Sequence, residues 1–204
     1  MTELDVLQGV RLKGRVSRTD LAATLGVDPG DIGPVVEELS AAGLLAEGAT
    51  VQITRSGSER LATLLAQERE GIEAGAMAAA YGDFRGVNAD FKRLVTDWQL
   101  RGGPGGIPNS HDDPEYDAAV LARLDDVHAR AVPIVEAAAA QLPRLHAYAT
   151  KLAAALDKIK AGETAWLTRP LIDSYHTVWF ELHEELIVAV GLTREEAARS
   201  GDAG

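Results

Sequence analysis

Apolar side chains near the start of the chain recur at helical spacing in three short segments. Residues 3–12 carry them at three-residue steps, which predicts a first helix. Ser17 precedes the second segment and has an acidic residue three positions on, a pattern typical of a helix start. Asp28 and Pro29 supply an N-cap and a first helical position for the third. The spacing therefore predicts three helices separated by tight turns.

The pattern then changes from helical spacing to alternation. Residues 44–47 and 51–54 alternate on either side of Gly48, which predicts a small hairpin. A helical pattern follows from Ser56 to about Ala80. We expect one continuous helix here, which leaves the hairpin and enters a second domain.

The rest of the chain is predicted to be helical. Pro133 lies inside one apolar-periodic segment and is expected to kink that helix or break it in two. The glycine-rich stretch after Arg101 is expected to interrupt regular structure as a loop of about a dozen residues. Alanine runs allow close helix packing, as in a compact bundle. The predicted helices of this part are residues 83–100, 115–140, 142–160 and 168–190.

These patterns predict a mainly α protein with two domains, residues 1–70 and residues 71–204. In the first domain the order of segments is LAATLGVDPGDIGPVVEELSAAGLLAEG, then VQITRSGSERL. This order resembles the winged helix of the MarR-like regulators. The resemblance implies an N-terminal winged helix-turn-helix with a β-hairpin wing, followed by an α-helical bundle for effector binding and dimerisation. It also implies a transcriptional regulator that binds DNA as a homodimer.

The residues that would read DNA differ from this expectation. In such modules the early residues of the second helix of the helix-turn-helix enter the major groove and offer donors to base edges. Here none of these positions has a side-chain donor, and the one acidic residue would repel phosphate. The five positions are Pro29, Gly30, Asp31, Gly33 and Pro34.

Charge gives a second objection to DNA binding. The chain has a formal net charge of −11, and seven Lys and Arg against eleven Asp and Glu leave residues 1–70 at −4. Sequence-independent DNA affinity comes from Lys and Arg that displace counterions. A basic face is still expected if the fold gathers the early arginines, and scattered solvated charges are the alternative. The arginines predicted to hold phosphates are Arg15, Arg18, Arg55 and Arg60.

The composition and the absence of certain motifs exclude several kinds of site and function. The chain has no cysteine, so disulfides, thiolate nucleophiles and cysteine-bound zinc are excluded. No apolar run approaches the roughly 20 residues that a membrane-spanning helix needs. We expect a cytoplasmic protein without a membrane partner. There is no Gly-x-Ser-x-Gly motif, and the glycine-rich stretch lacks the Lys-Ser/Thr of a phosphate loop, so no catalytic residue and no enzyme activity are predicted.

The large aromatic residues are concentrated in the second domain, and several of them share a helix with two histidines. Aromatic walls with a few polar groups are typical of ligand pockets between helices. They are equally typical of a core, and that alternative stays open. The residues predicted to contact a small-molecule effector are Trp98, Tyr175, His176, Trp179 and His183.

A metal site is a further alternative. Asp125 with His128 and Asp173 with His176 both follow an Asp-x-x-His pattern, and pairs of a carboxylate and a His on bundle helices can hold metal ions. The same His residues fit a structural role in which Asp173 orients His176 from one helical turn away. No cofactor is predicted.

The sequence is therefore compatible with three functions. The first is a ligand-responsive winged-helix transcriptional regulator that binds DNA as a dimer. The second is a winged-helix protein-interaction module without DNA binding, which the acidic charge favours. The third is a metal-binding helical-bundle protein.

Overall fold

A computed structural model describes residues 1–199. The chain divides into two compact units, Met1–Ile72 and Glu73–Gly204. The described residues are mainly helical and include a small antiparallel hairpin in the first unit. The predicted mainly α class and its small hairpin are thus confirmed.

The first unit contains four helices and one hairpin in which Leu45 pairs with Ile53 and Glu47 with Val51. The side chains of Thr2, Ser17, Asp28 and Thr54 cap the four helices by accepting backbone N–H bonds. Its elements are α1 Glu3–Lys13, α2 Arg18–Leu25, α3 Pro29–Ala41, β1 Leu45–Glu47, β2 Val51–Ile53 and α4 Arg55–Glu70.

The core of the first unit lies where α1 packs against α2, α3 and α4. The residues buried there include Leu7, Val10, Leu21, Ile32, Val36 and Leu61. Gly57 lies in the first turn of α4, directly against the chain that enters β1. A Cβ atom at Gly57 would lie 2.0 Å from the backbone oxygen of Leu44. Only glycine fits this close approach.

The second unit is built from five helices of at least six residues, counted within residues 1–199. Helices α5 and α6 pack along each other, and α7 and α8 cover them. Aromatic rings of Phe84, Phe91, Tyr175 and Trp179 fill the core between α5 and α8. Its elements are α5 Ala74–Gln99, β3 Leu100–Arg101, β4 Ile107–Pro108, α6 Pro114–Gln141, α7 His146–Lys160, α8 Tyr175–Ala189 and α9 Arg194–Arg199, with 3-10 turns at Pro143–Leu145 and Thr164–Trp166.

The prediction of one continuous helix from Ser56 to about Ala80 is wrong. Helix α4 ends at Glu70, and α5 begins at Ala74 as a separate helix that runs to Gln99. The Glu73 carboxylate accepts the backbone N–H groups of Gly75 and Ala76, so it starts a new helix. Residues 56–80 therefore do not form the single helix that was expected to enter the second domain.

Three other expectations for the second unit need correction. Of the two alternatives for Pro133, a kink or a break, the break is wrong, because α6 runs without interruption from Pro114 to Gln141. The glycine-rich loop contains a short antiparallel pair, β3 with β4. The last long helix begins at Tyr175 with Ser174 as its N-cap, later than residue 168. Asp173 therefore precedes the helix, and it binds Lys151 at 3.1 Å.

Within residues 1–199, none of the helices has both the length and the apolar character required to cross a bilayer.

Candidate functional sites

The solvent-facing side of α3 is acidic. We define the α3 face by its exposed residues Asp31, Pro34, Glu37 and Glu38. Helix α3 has no Lys, Arg or His along its length, and neither does the hairpin between Leu45 and Ile53. The residues of the α3 face therefore offer carboxylates to solvent, and none of them is itself a cation that could bind a phosphate.

Arg18 is tied to this region by two carboxylates. Its guanidinium binds Glu37 of α3 at 3.1 Å and also binds Glu47 of β1. These partners raise the pKa of Arg18 and lower the pKa of Glu47, because each charged group stabilises the other. One guanidinium between two carboxylates leaves a net negative charge where α2, α3 and β1 meet.

The other predicted DNA-binding arginines are not paired with Glu37 or Glu47. Arg60 makes two hydrogen bonds to the Glu3 carboxylate of α1, at 2.9 and 2.7 Å. Arg55 binds Glu59 one turn along α4, and its side chain is 93% exposed. Arg15 is exposed, and no ion pair to it is found within residues 1–199. Three of the four arginines thus face different carboxylates.

A groove runs along α5 in the second unit and has two adjoining compartments. The aromatic compartment, ≈ 200 Å³, lies between α5 and α8. The cationic compartment, ≈ 630 Å³, continues along the exposed side of α5. Asn88, Lys92 and Thr96 line both. The aromatic compartment is also lined by Phe91, Val95, His176, Trp179, Phe180 and His183, and the cationic one by Gly82, Arg85, Gly86, Ala89, Arg93, Asp97 and Pro104.

The structure brings three of the five predicted effector residues together. His176, Trp179 and His183 lie one turn apart along α8 and line the aromatic compartment. Tyr175 is instead fully buried and its hydroxyl lies 3.2 Å from Nδ1 of His128. Trp98 lies at a separate cavity, where its ring is tilted against that of His111 with the ring centroids 4.4 Å apart.

Buried contacts fix the wall of the aromatic compartment. The indole N–H of Trp179 donates to the side-chain oxygen of Asn88 at 2.9 Å, which links α8 to α5. Phe91 packs against Trp179 with ring centroids 4.5 Å apart. Partial desolvation lowers the pKa of His176, so this imidazole is neutral at pH 7. Behind the compartment therefore lie buried aromatic rings, with Asn88 and His176 as polar groups beside them.

Several lining residues were missed by the sequence reasoning, chiefly Lys92, Thr96 and Phe180. The sequence could have indicated only those that lie on α5. Arg85, Asn88, Lys92 and Thr96 recur at three- and four-residue steps, which indicates one helical stripe. That stripe gives no sign that the histidine face of α8 lies beside it, because the pairing of the two helices is tertiary.

The metal candidates are not assembled into a site. Asp125 binds Lys160 at 2.6 Å, and Asp173 binds Lys151 at 3.1 Å. No group of three or more potential ligands that could hold an ion occurs within the part of the chain that the structure describes. The proposed orientation of His176 by Asp173 is also wrong, because Asp173 is paired elsewhere and lies outside α8.

Comparison of the chain with known protein families, curated proteins and solved structures gives no match.

Proposed function

We propose that this chain is a winged-helix protein-interaction module, which binds a basic segment of a partner protein through the α3 face instead of binding DNA. The order of three helices, a hairpin and a further helix supports a winged-helix arrangement of the first unit. The observation that carries the proposal is the charge of the α3 face. Asp31, Glu37 and Glu38 are exposed there, and α3 contains no cationic residue.

Electrostatics decides between a nucleic-acid partner and a protein partner. A DNA backbone presents a dense line of negative charge, and an acidic helix would have to approach it without releasing counterions. A Lys- or Arg-rich protein segment has the opposite charge, and such complementarity speeds encounter and selects partners. Arg18 cannot reverse the sign, since it faces two carboxylates, Glu37 and Glu47.

The test is charge reversal on the α3 face. Affinity capture with the full chain as bait is compared with capture by the variant Asp31→Lys/Glu38→Lys. We expect a stoichiometric partner with a basic contact segment, and we expect the variant to lose it. The matched control Glu68→Lys/Glu70→Lys places the same charges at the end of α4 and is expected to retain the partner. Capture that is equal for the two variants would refute the proposal.

A ligand-responsive DNA-binding regulator is the second candidate. It is favoured by the exposed Arg15 and by Arg55, whose side chain is 93% exposed although it is paired with Glu59. A pool of genomic DNA fragments at about 50 mM salt tests it, because phosphate contacts weaken steeply as salt rises. Salt-sensitive retention that is lost in Arg15→Ala/Arg55→Ala would establish this candidate over the first. In this second proposal the chain binds DNA as a homodimer.

A further inference from the structure

The cavity beside Trp98 has mostly polar walls. We call it the Trp98 cavity, and its volume is ≈ 520 Å³. One side comes from the end of α5 and the chain around the start of α6, and the other comes from the segment between α7 and α8. Of its described lining residues, two are apolar, Trp98 and Ala165. The polar ones are His111, Asp117, Thr164, Thr168 and Arg169.

A buried asparagine holds His111 in place. Asn109 is 9% exposed, and its Nδ2 donates to the backbone oxygen of Trp98 at 3.1 Å and to Oδ1 of Asp117 at 2.8 Å. Its Oδ1 accepts the backbone N–H of His111 at 3.3 Å. His111 has a φ of 57°, in the left-handed region that residues other than glycine rarely adopt. Such a conformation persists only where the surrounding contacts determine it, and Asn109 makes those contacts here.

The same contacts orient the imidazole of His111. Both hydrogens of the Asn109 amide are used by Trp98 and Asp117, so Nδ1 of His111 does not accept from Asn109. Nδ1 instead donates to Oδ2 of Asp117 at 3.0 Å. A neutral histidine whose Nδ1 carries the hydrogen has an Nε2 that accepts a hydrogen bond. Because the His111 side chain is 42% exposed and lines the cavity, Nε2 is the nitrogen that a ligand can reach.

The opposite side of the Trp98 cavity supplies a cation and two hydroxyls. Arg169 is exposed and makes no ion pair with another residue in the described part of the chain. Thr164 and Thr168 are half-buried, and their hydroxyls can both donate and accept. Asp117, the one carboxylate of the described lining, already accepts two hydrogen bonds. The cavity thus offers one guanidinium, one imidazole acceptor and two hydroxyls to a ligand.

From this set of groups we infer that the Trp98 cavity binds a polyhydroxylated carboxylate, that is, a sugar acid. A guanidinium binds a carboxylate through two parallel hydrogen bonds, which is the role of Arg169. Ligand hydroxyls fit the imidazole of His111 and the two threonines, since each of these accepts a hydroxyl hydrogen. The volume lies in the range of about 300–1,000 Å³ that is usual for small-molecule sites.

The lining also argues against two other kinds of anion. A phosphate ester would bring a second negative charge close to Asp117, and the single guanidinium of Arg169 does not balance it. An aliphatic acid would remove the imidazole and the threonine hydroxyls from water without giving them partners. The inference goes beyond the proposed function of the first unit and does not depend on it.

The experiment is isothermal titration of the full chain with D-glucuronate and D-gluconate. We expect at least one of the two to bind with a Kd of about 1 mM or lower. Three matched ligands each change one feature: D-glucose lacks the carboxylate, hexanoate lacks the hydroxyls, and D-glucose 6-phosphate replaces the carboxylate by a phosphate. Each is expected to bind about tenfold more weakly than the better sugar acid, because each loses a charged or hydroxyl hydrogen bond.

Two variants locate the site. Arg169→Gln removes the cation, and it should weaken the sugar acid about tenfold while leaving any binding of D-glucose unchanged. His111→Asn removes the imidazole with a residue that tolerates the left-handed region, and it should weaken binding about tenfold as well. The matched controls are Arg55→Gln, an arginine of the first unit that is 93% exposed, and His146→Gln, an exposed histidine of α7 outside the lining. Both controls should bind as the wild type does.

Nuclear magnetic resonance of the histidine rings gives a second measurement that needs no variant. Binding at Nε2 should shift the ring nitrogen signals of His111 and leave those of His146 in place. Any of three results would overturn the inference. Neither sugar acid binds with a Kd of about 1 mM or lower. Hexanoate or D-glucose 6-phosphate binds as tightly as the better sugar acid. Binding is unchanged in both Arg169→Gln and His111→Asn, which would place the ligand elsewhere.

Discussion

Gly57→Ala tests whether the junction between the hairpin and α4 is as close as the structure has it. The added methyl group would lie 2.0 Å from the backbone oxygen of Leu44 and 2.9 Å from Cγ1 of Ile53. Non-bonded carbon and oxygen atoms need more than 3 Å, so the first turn of α4 must move outward by about 1 Å. The backbone carbonyl cannot rotate away as a flexible side chain would.

That displacement affects a small hydrogen-bond cluster. The Thr54 hydroxyl donates to the backbone oxygen of Gly43 at 2.7 Å and accepts the Gly57 N–H at 3.0 Å, and the Thr54 N–H donates to the backbone oxygen of Leu44 at 3.1 Å. At about 0.5–1.5 kcal/mol each, weakening these three bonds costs roughly 1.5–4.5 kcal/mol. The gain of about 0.5–1 kcal/mol that alanine brings to a helix offsets little of this.

The assay is thermal unfolding followed by circular dichroism. We expect Gly57→Ala to lower the midpoint of the Met1–Ile72 unit by about 10 °C, because each kcal/mol shifts a unit of this size by roughly 4–8 °C. Gly82→Ala is the matched control, since Gly82 is exposed on α5 and its Cβ would touch nothing within 4 Å. It should leave that unit unchanged and stabilise its own slightly. A neutral or stabilising Gly57→Ala would refute the close approach.

Two further predictions concern the second unit. Arg144→Met should destabilise it by about 3–5 kcal/mol in urea unfolding, because it removes the guanidinium that lies 2.6 Å from the buried Glu185 carboxylate. The double variant Arg144→Met/Glu185→Leu should recover most of the loss, since it removes the buried carboxylate as well. A double variant as unstable as the single variant would contradict this prediction. Burial, and to a smaller extent the positive charge of the nearby Lys160, lowers the pKa of His128 below its ordinary value. The folded state therefore binds a proton at His128 more weakly than the unfolded state does. The stability that comes from neutral His128 is fully present above pH 6.5 and is lost as the pH falls through the folded pKa. The midpoint of thermal unfolding should therefore decline between pH 7 and 5.5 less steeply in His128→Gln than in the wild type.

Helix starts could be predicted from the sequence because their causes are local. Ser17 and Asp28 were expected to cap α2 and α3, and their side chains accept the backbone N–H groups of Asp20 and Gly30. The break between α4 and α5 was missed although its cause is equally local. The capping carboxylate of Glu73 competes with helix continuation, and the apolar periodicity on both sides of it concealed the effect.

The candidate sites were predicted less completely than the helices. His176, Trp179 and His183 share one face of α8 and could be grouped from their spacing alone. Trp98 and Tyr175 were grouped with them because they are aromatic, but neither lines that compartment. Composition cannot distinguish a ring that fills the core from one that lines a groove, since both are apolar and both lie on inward faces.

By itself the sequence determined the mainly α class, the caps, the hairpin and the acidic character of α3, because each depends on residues only a few positions apart. Only the tertiary structure decided which charges meet. Arg18 faces Glu37 and Glu47 across 19 and 29 residues of chain, and the cations of α5 lie beside the aromatic face of α8. Such pairs follow from how helices pack, and the periodicity of one helix specifies which side is buried but not which neighbour covers it.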